Sequence, residues 1–159
     1  MHNSSKVVIG CLLFLALSCQ TAVKEKGVKF LHENWQFSEY DKQEWKRATV
    51  PGVVHTDLLS HDLIPDPWVG INETKVQWIE EKHWEYTTSF QLTEVEQSFQ
   101  NTEIVFEGLD TYADVYFNDS LVLQANNMFR TWVIPIKSIL NKGDNSLKVV
   151  FKSPIQENK

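Results

Sequence analysis

The sequence predicts an all-β domain, a jelly-roll β-sandwich of the galactose-binding-like kind. Several short segments alternate apolar and polar residues with the period of two that half-buried strands show. No long amphipathic helical pattern occurs after the first 27 residues. The 159 residues are 42% hydrophobic and 12% aromatic, a composition that suits one β-rich domain with its own core.

The first 18 residues are predicted to be a secretory signal peptide that precedes the domain. A basic Lys6 is followed by the apolar run Val7–Leu17. This run is much shorter than the roughly 20 apolar residues that a membrane-spanning helix needs. Residues 19–27 are then a polar tether, and residues 28–159 form the domain.

Cys19 is the predicted lipidation site. It follows Ala16–Ser18 in an order that resembles a bacterial lipoprotein processing site, and the alternative is plain secretion with cleavage near Ala22. The leader predicts an exported protein, in the periplasm or outer membrane of a Gram-negative bacterium; a secreted or lysosomal protein is the alternative. Because Cys11 and Cys19 both lie in the leader or at its end, the domain is expected to fold without a disulfide.

The net charge of −6 argues against a nucleic acid as partner. Binding to a phosphate backbone needs clustered Lys and Arg side chains that displace counterions, and the sequence has no such basic stripe. Contact with a membrane is expected only through a possible lipid anchor.

The segments before the centre of the domain are predicted as strands, one helical turn and a long loop. Trp35 and Phe37 share one face of an extended chain, and Val54, Leu58 and Leu59 have near-helical spacing. Two prolines and a glycine in a short space predict the loop. The expected elements are a strand at Val28–His32, a polar turn at Ser38–Gln43 before the segment Trp45–Val50, a short helix or irregular turn at Val53–Asp62, the loop at Ile64–Asn72, a brief extended piece at Val76–Ile79 and a strand at Trp84–Leu92.

Two consecutive strands at the centre of the sandwich are predicted from the segment Thr102–Asn118. Ile104 and Phe106 point to one side of the first strand. Gly108–Thr111 is the turn, because Gly and Asp favour a bend there. The second strand follows, and the residues expected on its buried face are Ala113, Val115 and Phe117.

The remaining elements complete the sandwich. Alternation and turn residues again provide the signal. The expected elements are a short strand at Leu121–Gln124, an extended segment at Phe129–Ile136, a loose turn at Ile136–Leu140, a tight turn at Lys142–Asn145 and a last strand in which Leu147, Val149 and Phe151 share a face.

Standard catalytic, cofactor and metal motifs are missing from the sequence. It has no phosphate-binding Gly-rich loop, no Gly-x-Ser-x-Gly elbow and no His-Glu-x-x-His pair. His55 and His61 are six residues apart and have no evident third ligand, so no metal site and no cofactor are predicted. The acidic pairs Glu80–Glu81 and Glu94 with Glu96 are expected to face water.

A series of motifs resembles the N-terminal domain of β-mannosidases, which belong to the β-galactosidase/β-glucuronidase superfamily of retaining glycoside hydrolases. The resemblance extends from about Val28 to about Lys152, with agreement in order and spacing. The segments that carry it are Val50–Leu59, Leu63–Pro67, Asn72-Glu73, Gln77-Trp78, Trp84–Tyr86, Phe106–Thr111, Val115–Asn118 and Asn127–Phe129.

The resemblance implies a galactose-binding-like jelly roll that precedes an immunoglobulin-like domain and a catalytic (β/α)8 barrel. In such enzymes the barrel supplies a Glu acid/base and a Glu nucleophile, which release terminal non-reducing β-mannose from oligosaccharides with retention. The chain stops at Lys159, before the late Trp-Asp-Trp-Gly-Pro motif of this domain type. It is therefore expected to be inactive alone, to contain no catalytic residue, and to have the barrel, the immunoglobulin-like domain and mannose-containing oligosaccharides as partners.

The long, proline-rich and aromatic segment between Pro65 and Trp78 is the predicted rim element that approaches the barrel. In this interpretation two indoles cover a sugar face, while three polar side chains bind hydroxyls or hold the loop. The candidates are Trp68, Asn72, Glu73, Gln77 and Trp78. The alternative is that Trp78 and Trp84 belong to the core and Asn72 only shapes a turn. Asn126–Phe129 is predicted to be a structural turn closed by Phe129, with a second rim element as the alternative.

Two hypotheses about function remain open at this stage. A domain of a larger enzyme should expose an apolar or aromatic face where other domains dock. A free-standing carbohydrate-binding module should have a closed polar surface apart from one aromatic sugar platform. A structural adhesion domain without affinity for sugar is a third option.

Overall fold

A computed structural model describes residues 27–157. The predicted signal peptide, the lipidation of Cys19 and most of the tether at residues 19–27 lie outside the described residues. These three expectations therefore stay predictions.

Short strands dominate the described part of the chain. They are β1 Gln36–Glu39, β2 Lys46–Arg47, β3 Trp84–Gln91, β4 Glu103–Phe106, β5 Ala113–Phe117, β6 Ser120–Ala125, β7 Trp132–Pro135 and β8 Asp144–Phe151. The helical elements are α1 Val54–Ser60, α2 Glu73–Val76, α3 Glu94–Ser98, α4 Pro154–Glu157 and the 3₁₀ helices Gln77–Glu81 and Lys137–Ile139.

The strands form two antiparallel sheets. The larger sheet has six strands in the order β2-β1-β3-β8-β5-β6, and the smaller one pairs β4 with β7. This arrangement confirms the predicted all-β sandwich. It also confirms the strands expected near residues 84–92, 121–124, 129–136 and 147–151, as well as the helix expected within residues 53–62.

One row of side chains across the six-stranded sheet forms the centre of the core. Val115 of β5 is aligned with Val149 of β8, which is aligned with Tyr86 of β3 and then with Phe37 of β1. All four are buried. Because alternate residues of a strand share a face, the same register also buries Phe117. The predicted burial of alternate β5 residues is thus confirmed.

The two central strands do not lie side by side, although they are consecutive in the chain. β4 pairs with β7 in the small sheet, whereas β5 lies between β8 and β6 in the large one. The predicted turn at Gly108–Thr111 therefore carries the chain from one sheet to the other. Leu109 in this turn is buried in the core.

The strand predicted at Val28–His32 is wrong. This segment is irregular, because β2 already occupies the outer edge of β1. Phe30 is 74% exposed. The segment is attached through Lys29, whose Nζ donates to the Gln91 carbonyl at 2.9 Å.

The extended piece predicted at Val76–Ile79 is also wrong, since α2 and the following 3₁₀ helix cover it. Val76 and Ile79 are three residues apart and both are buried, which is the spacing of one helical face. The apolar run therefore follows a helical period rather than the period of two.

Helix α3 was not predicted, although its sequence contains a capping box. Thr93 Oγ1 accepts from the Glu96 N–H at 3.2 Å, and a Glu96 carboxyl oxygen accepts from the Thr93 N–H at 2.7 Å. The Thr93 N–H bond is the main reason that the pKa of Glu96 lies below its ordinary value. Glu96 is thus part of a cap rather than a freely solvated acid.

The segment Asn126–Phe129 is a turn, as predicted, and Phe129 closes it through its backbone N–H and not through its ring. The Asn127 side chain accepts from the Phe129 N–H at 2.9 Å, which forms the turn. The Phe129 ring is 90% exposed and contributes nothing to the core.

Replacing Phe117 with alanine is expected to lower the free energy of unfolding by about 3–5 kcal/mol, because it leaves a cavity in a close-packed core. Chemical denaturation measures this value. Val105→Ala on the exposed face of β4 is the control and should change it by about 0.5 kcal/mol or less. Equal effects of the two substitutions would contradict the assigned strand faces.

Candidate functional site

The helical lobe, defined as residues 53–81, lies between β2 and β3 in the chain and contains α1, the proline-rich loop, α2 and the 3₁₀ helix Gln77–Glu81. Its inner apolar side chains join the core of the sandwich. They are Leu58, Ile64, Val76 and Ile79. The lobe is therefore packed against the sheets and is not a separate unit.

A buried carboxyl group attaches the lobe to the large sheet. Asp57 of α1 is 1% exposed. One of its oxygens accepts from the Thr49 N–H at 2.9 Å, and the other accepts from the Tyr86 hydroxyl of β3 at 2.9 Å. Burying a carboxyl group without hydrogen-bond partners costs free energy. The two bonds to Asp57 therefore fix the position of α1 on the sheet.

The Tyr86 hydroxyl remains a hydrogen-bond donor in this pair. Burial raises the pKa of Tyr86 well above its ordinary value, and the negative charge of Asp57 raises it further. The phenol is therefore protonated across the whole neutral range, and it always has a proton to donate to Asp57.

An open cleft of about 260 Å³ lies on the lobe, between the start of α1 and the helical segment that follows the loop. The lining residues are His55, Glu73, Val76, Gln77 and Glu80. The members from the second segment have the spacing of one helical face. The four polar side chains of the cleft make no hydrogen bond or ion pair within residues 27–157, so they are free to bind other groups.

Two of the predicted rim residues come together in this cleft. Glu73 and Gln77 both line it. His55 and Glu80 were not predicted as site residues. His55 comes from a different element, so its position beside the other cleft residues could not be predicted from spacing in the sequence. Glu80 is exposed, as expected. Its helical spacing to Glu73 and Gln77 was the signal that could have placed it in the cleft.

The other three predicted rim residues lie elsewhere on the lobe. Trp68 is 94% exposed in the loop. Asn72 donates to the Asp66 carbonyl at 3.0 Å and accepts from Lys75 Nζ at 3.0 Å, so it shapes the loop. Trp78 is partly exposed, and its ring centroid lies 6.1 Å from that of Trp84.

Trp84 itself is buried, as the core alternative expected. Its indole N–H donates to the Ile79 carbonyl at 3.0 Å. Trp84 is therefore a core residue and Asn72 makes bonds within the loop, whereas Trp78 lies at the boundary between core and solvent. The roles of the rim candidates in binding stay predictions.

The cleft combines two carboxyl groups, an imidazole and a carboxamide, which offer both donors and acceptors to a hydroxyl-rich ligand or to a docking surface. Within the described residues, no group of three or more His, Cys, Asp or Glu side chains is arranged to hold a metal ion. None of the helices in residues 27–157 has the length and apolarity needed to cross a membrane.

Large apolar side chains are exposed along the whole lobe. Those on its surface are Val53, Leu59, Leu63, Trp68, Val69, Ile71 and Trp78. Three of these seven, Trp68, Val69 and Ile71, are nearly consecutive in the loop. A group of large exposed apolar side chains is typical of a face that another protein surface covers.

Comparison with protein families gives one match. Residues 35–159 match the family described as the glycosyl hydrolase 2 galactose-binding domain-like family. Among curated relatives, β-mannosidase B of Thermothelomyces thermophilus is 40% identical over 126 residues, which is 77% of this chain and 15% of that protein. The β-mannosidase of Rattus norvegicus is 33% identical over 146 residues, which is 91% of this chain and 16% of that protein.

Solved structures agree with the sequence relatives. The β-D-mannosidase of Dictyoglomus thermophilum superimposes with a TM-score of 0.76 at 38% identity, over 77% of this chain and 15% of that one. A β-D-glucuronidase for the same organism has a TM-score of 0.58 at 18% identity, which shows a shared fold alone. The chain thus spans about 15% of the length of these β-mannosidases.

Tyr86→Phe should lower the free energy of unfolding by about 1.5–3 kcal/mol, because it removes a hydrogen bond to a buried charged group. Thermal or chemical denaturation measures the change. Tyr116→Phe, on the outer face of the same sheet, is the matched control and should cost about 0.5 kcal/mol or less. A neutral Tyr86→Phe variant would show that the bond from Tyr86 to Asp57 does not help to attach the lobe.

Proposed function

Because the chain belongs to the glycosyl hydrolase 2 galactose-binding domain-like family, and corresponds to the N-terminal domain of β-mannosidase-like enzymes in that family, we propose that it is the non-catalytic N-terminal domain of an exported β-mannosidase-like hydrolase. The proposed whole enzyme removes terminal non-reducing β-mannose from oligosaccharides with retention. Its acid/base and nucleophile belong to a barrel domain, and no residue of this chain acts in catalysis.

The exposed apolar surface of the helical lobe is the observation that carries the proposal. A free-standing module should keep such a surface small, since exposed apolar patches promote association. The lobe instead exposes Trp68, Val69 and Ile71 within four residues. This is the face that we assign to docking against the barrel.

The cleft lies on the same lobe as the docking face. In the proposed enzyme, Glu73 and Gln77 bind sugar hydroxyls or barrel residues at the rim of the active site, together with His55 and Glu80. Trp68 and Trp78 cover apolar surface beside them, and Asn72 holds the loop in shape. The unpartnered polar side chains of the cleft support this role, because they are already exposed and need no rearrangement.

Export is part of the same proposal and rests on the sequence of the leader. The apolar run Val7–Leu17 and the position of Cys19 support a lipid-anchored protein of the periplasm or outer membrane. Secretion without an anchor, or delivery to a lysosome, is the alternative.

A free-standing carbohydrate-binding module is the second candidate function. The observation in its favour is the highly exposed Trp68 near a cleft with unpartnered polar side chains. Aromatic side chains that project into solvent are suited to stack on sugar rings. The two functions differ in whether the isolated chain binds sugar.

Titration calorimetry of the isolated chain with mannose and β-mannobiose should give no binding heat, because the proposed sugar site also needs residues of the barrel. Bovine serum albumin provides the baseline for heats of dilution. Saturable binding to either sugar, lost in Trp68→Ala, would favour the module over the enzyme domain.

The docking face can be tested by adding the chain to a catalytic part of a β-mannosidase that lacks its own N-terminal domain, such as that of Dictyoglomus thermophilum. We expect the two to associate, and Trp68→Ala to weaken binding by about 30-fold, because a central Trp typically contributes about 2 kcal/mol. Phe30→Ala, an exposed aromatic outside the lobe, is the control and should leave affinity within about twofold. Equal losses in both variants would contradict docking through the lobe.

A further inference from the structure

At the end of the 3₁₀ helix Gln77–Glu81, three consecutive carbonyl groups each accept a hydrogen bond from a side chain outside the helix, and two of these side chains come from the C-terminal end of the described chain. The carbonyl groups at the end of a helix have no partner within the helix itself. The three bonds run from Trp84 Nε1 to the Ile79 carbonyl at 3.0 Å, from Ser153 Oγ to the Glu80 carbonyl at 2.6 Å, and from Gln156 Nε2 to the Glu81 carbonyl at 2.8 Å.

Ser153 is the central member of this set. It is 0% exposed and directly precedes α4, and its own N–H donates to His83 Nδ1 at 2.7 Å. Its hydroxyl and its amide therefore hold both the end of the 3₁₀ helix and the residue that leads into β3. Two turns that are about 70 residues apart in the chain are joined at this one position.

Apart from these bonds, the 3₁₀ helix is held mainly by the burial of Ile79 in the core. It is five residues long, and Ile79 is the only one of them that is buried. Isolated 3₁₀ segments have poor hydrogen-bond geometry, and short helices have no stability of their own. The contacts that hold the backbone of this helix therefore also orient the Gln77 and Glu80 side chains in the cleft.

We propose that Ser153 and Gln156 are positioning residues for the cleft. By holding the Glu80 and Glu81 carbonyls they fix the backbone from which Gln77 and Glu80 reach the cleft, so the segment that begins at Ser153 sets the geometry of the rim. The importance of this geometry rests on the proposed function, since that function gives the cleft a sugar or a barrel surface to contact. The bonds themselves do not depend on it.

Amide hydrogen exchange of the whole chain, resolved by NMR, tests the proposal. In Ser153→Ala we expect amides of residues 79–82 to exchange about tenfold faster, since losing one hydrogen bond shifts a local opening by roughly that factor. The amides of Val115 and Val149 in the core should be unchanged, and the Trp78 indole N–H resonance should shift. Ser153→Thr keeps the hydroxyl and should restore the slow exchange.

Ser98→Ala is the matched control, because it also removes a serine bond to a carbonyl, that of Val95 at 2.7 Å, on a different helix. Exchange at residues 79–82 should not respond to it. Gln156→Met removes the second bond at an exposed position and provides the same local readout if Ser153→Ala fails to fold.

Unchanged exchange at residues 79–82 in Ser153→Ala and Gln156→Met would overturn the proposal, and so would equal acceleration throughout the core. Either result would leave the assignment of the enzyme domain untouched, because that assignment is tested by sugar titration and by docking to the catalytic part.

Discussion

The carboxyl group of Asp57 is the constraint on which the functional end of this domain depends. It lies in the interior and accepts bonds from the Thr49 amide and the Tyr86 hydroxyl, so it connects α1 to the segment that follows β2 and to β3. A buried acid is costly unless both oxygens are satisfied, and the lobe can therefore adopt only the position that satisfies them. That position places His55 opposite the helical segment that carries the other cleft residues.

The sandwich and the helical lobe have different roles in the domain. The sandwich supplies a rigid core, with one buried row of side chains that spans four strands. The lobe supplies the exposed features: the apolar loop around Trp68 and the polar cleft beside it. Loops and short helices on a rigid scaffold are common places for binding residues, because the scaffold fixes their ends. The bonds from Ser153 and Trp84 fix one of those ends here.

Local patterns in the sequence predicted local structure well and long-range pairing poorly. The alternation in Ala113–Phe117 predicted a buried strand face correctly, because strand burial repeats every two residues. Nothing local indicated that β4 and β5 belong to different sheets, since pairing is decided by distant strands. The segment Val76–Ile79 was wrongly predicted to be extended, because a pattern of only four residues fits both the period of a strand and that of a helix. In the cleft, Glu73 and Gln77 were predicted, but the approach of His55 is a tertiary contact that no spacing encodes.

The central claim is that this chain acts as a supporting domain, with the helical lobe covered by a separate catalytic part. Hydrogen exchange measured by mass spectrometry, on the chain alone and on the chain bound to a β-mannosidase catalytic part, tests this most directly. The account predicts that slowed exchange on binding is concentrated in residues 53–81. Protection confined to the outer face of the six-stranded sheet, or no protection anywhere, would contradict it.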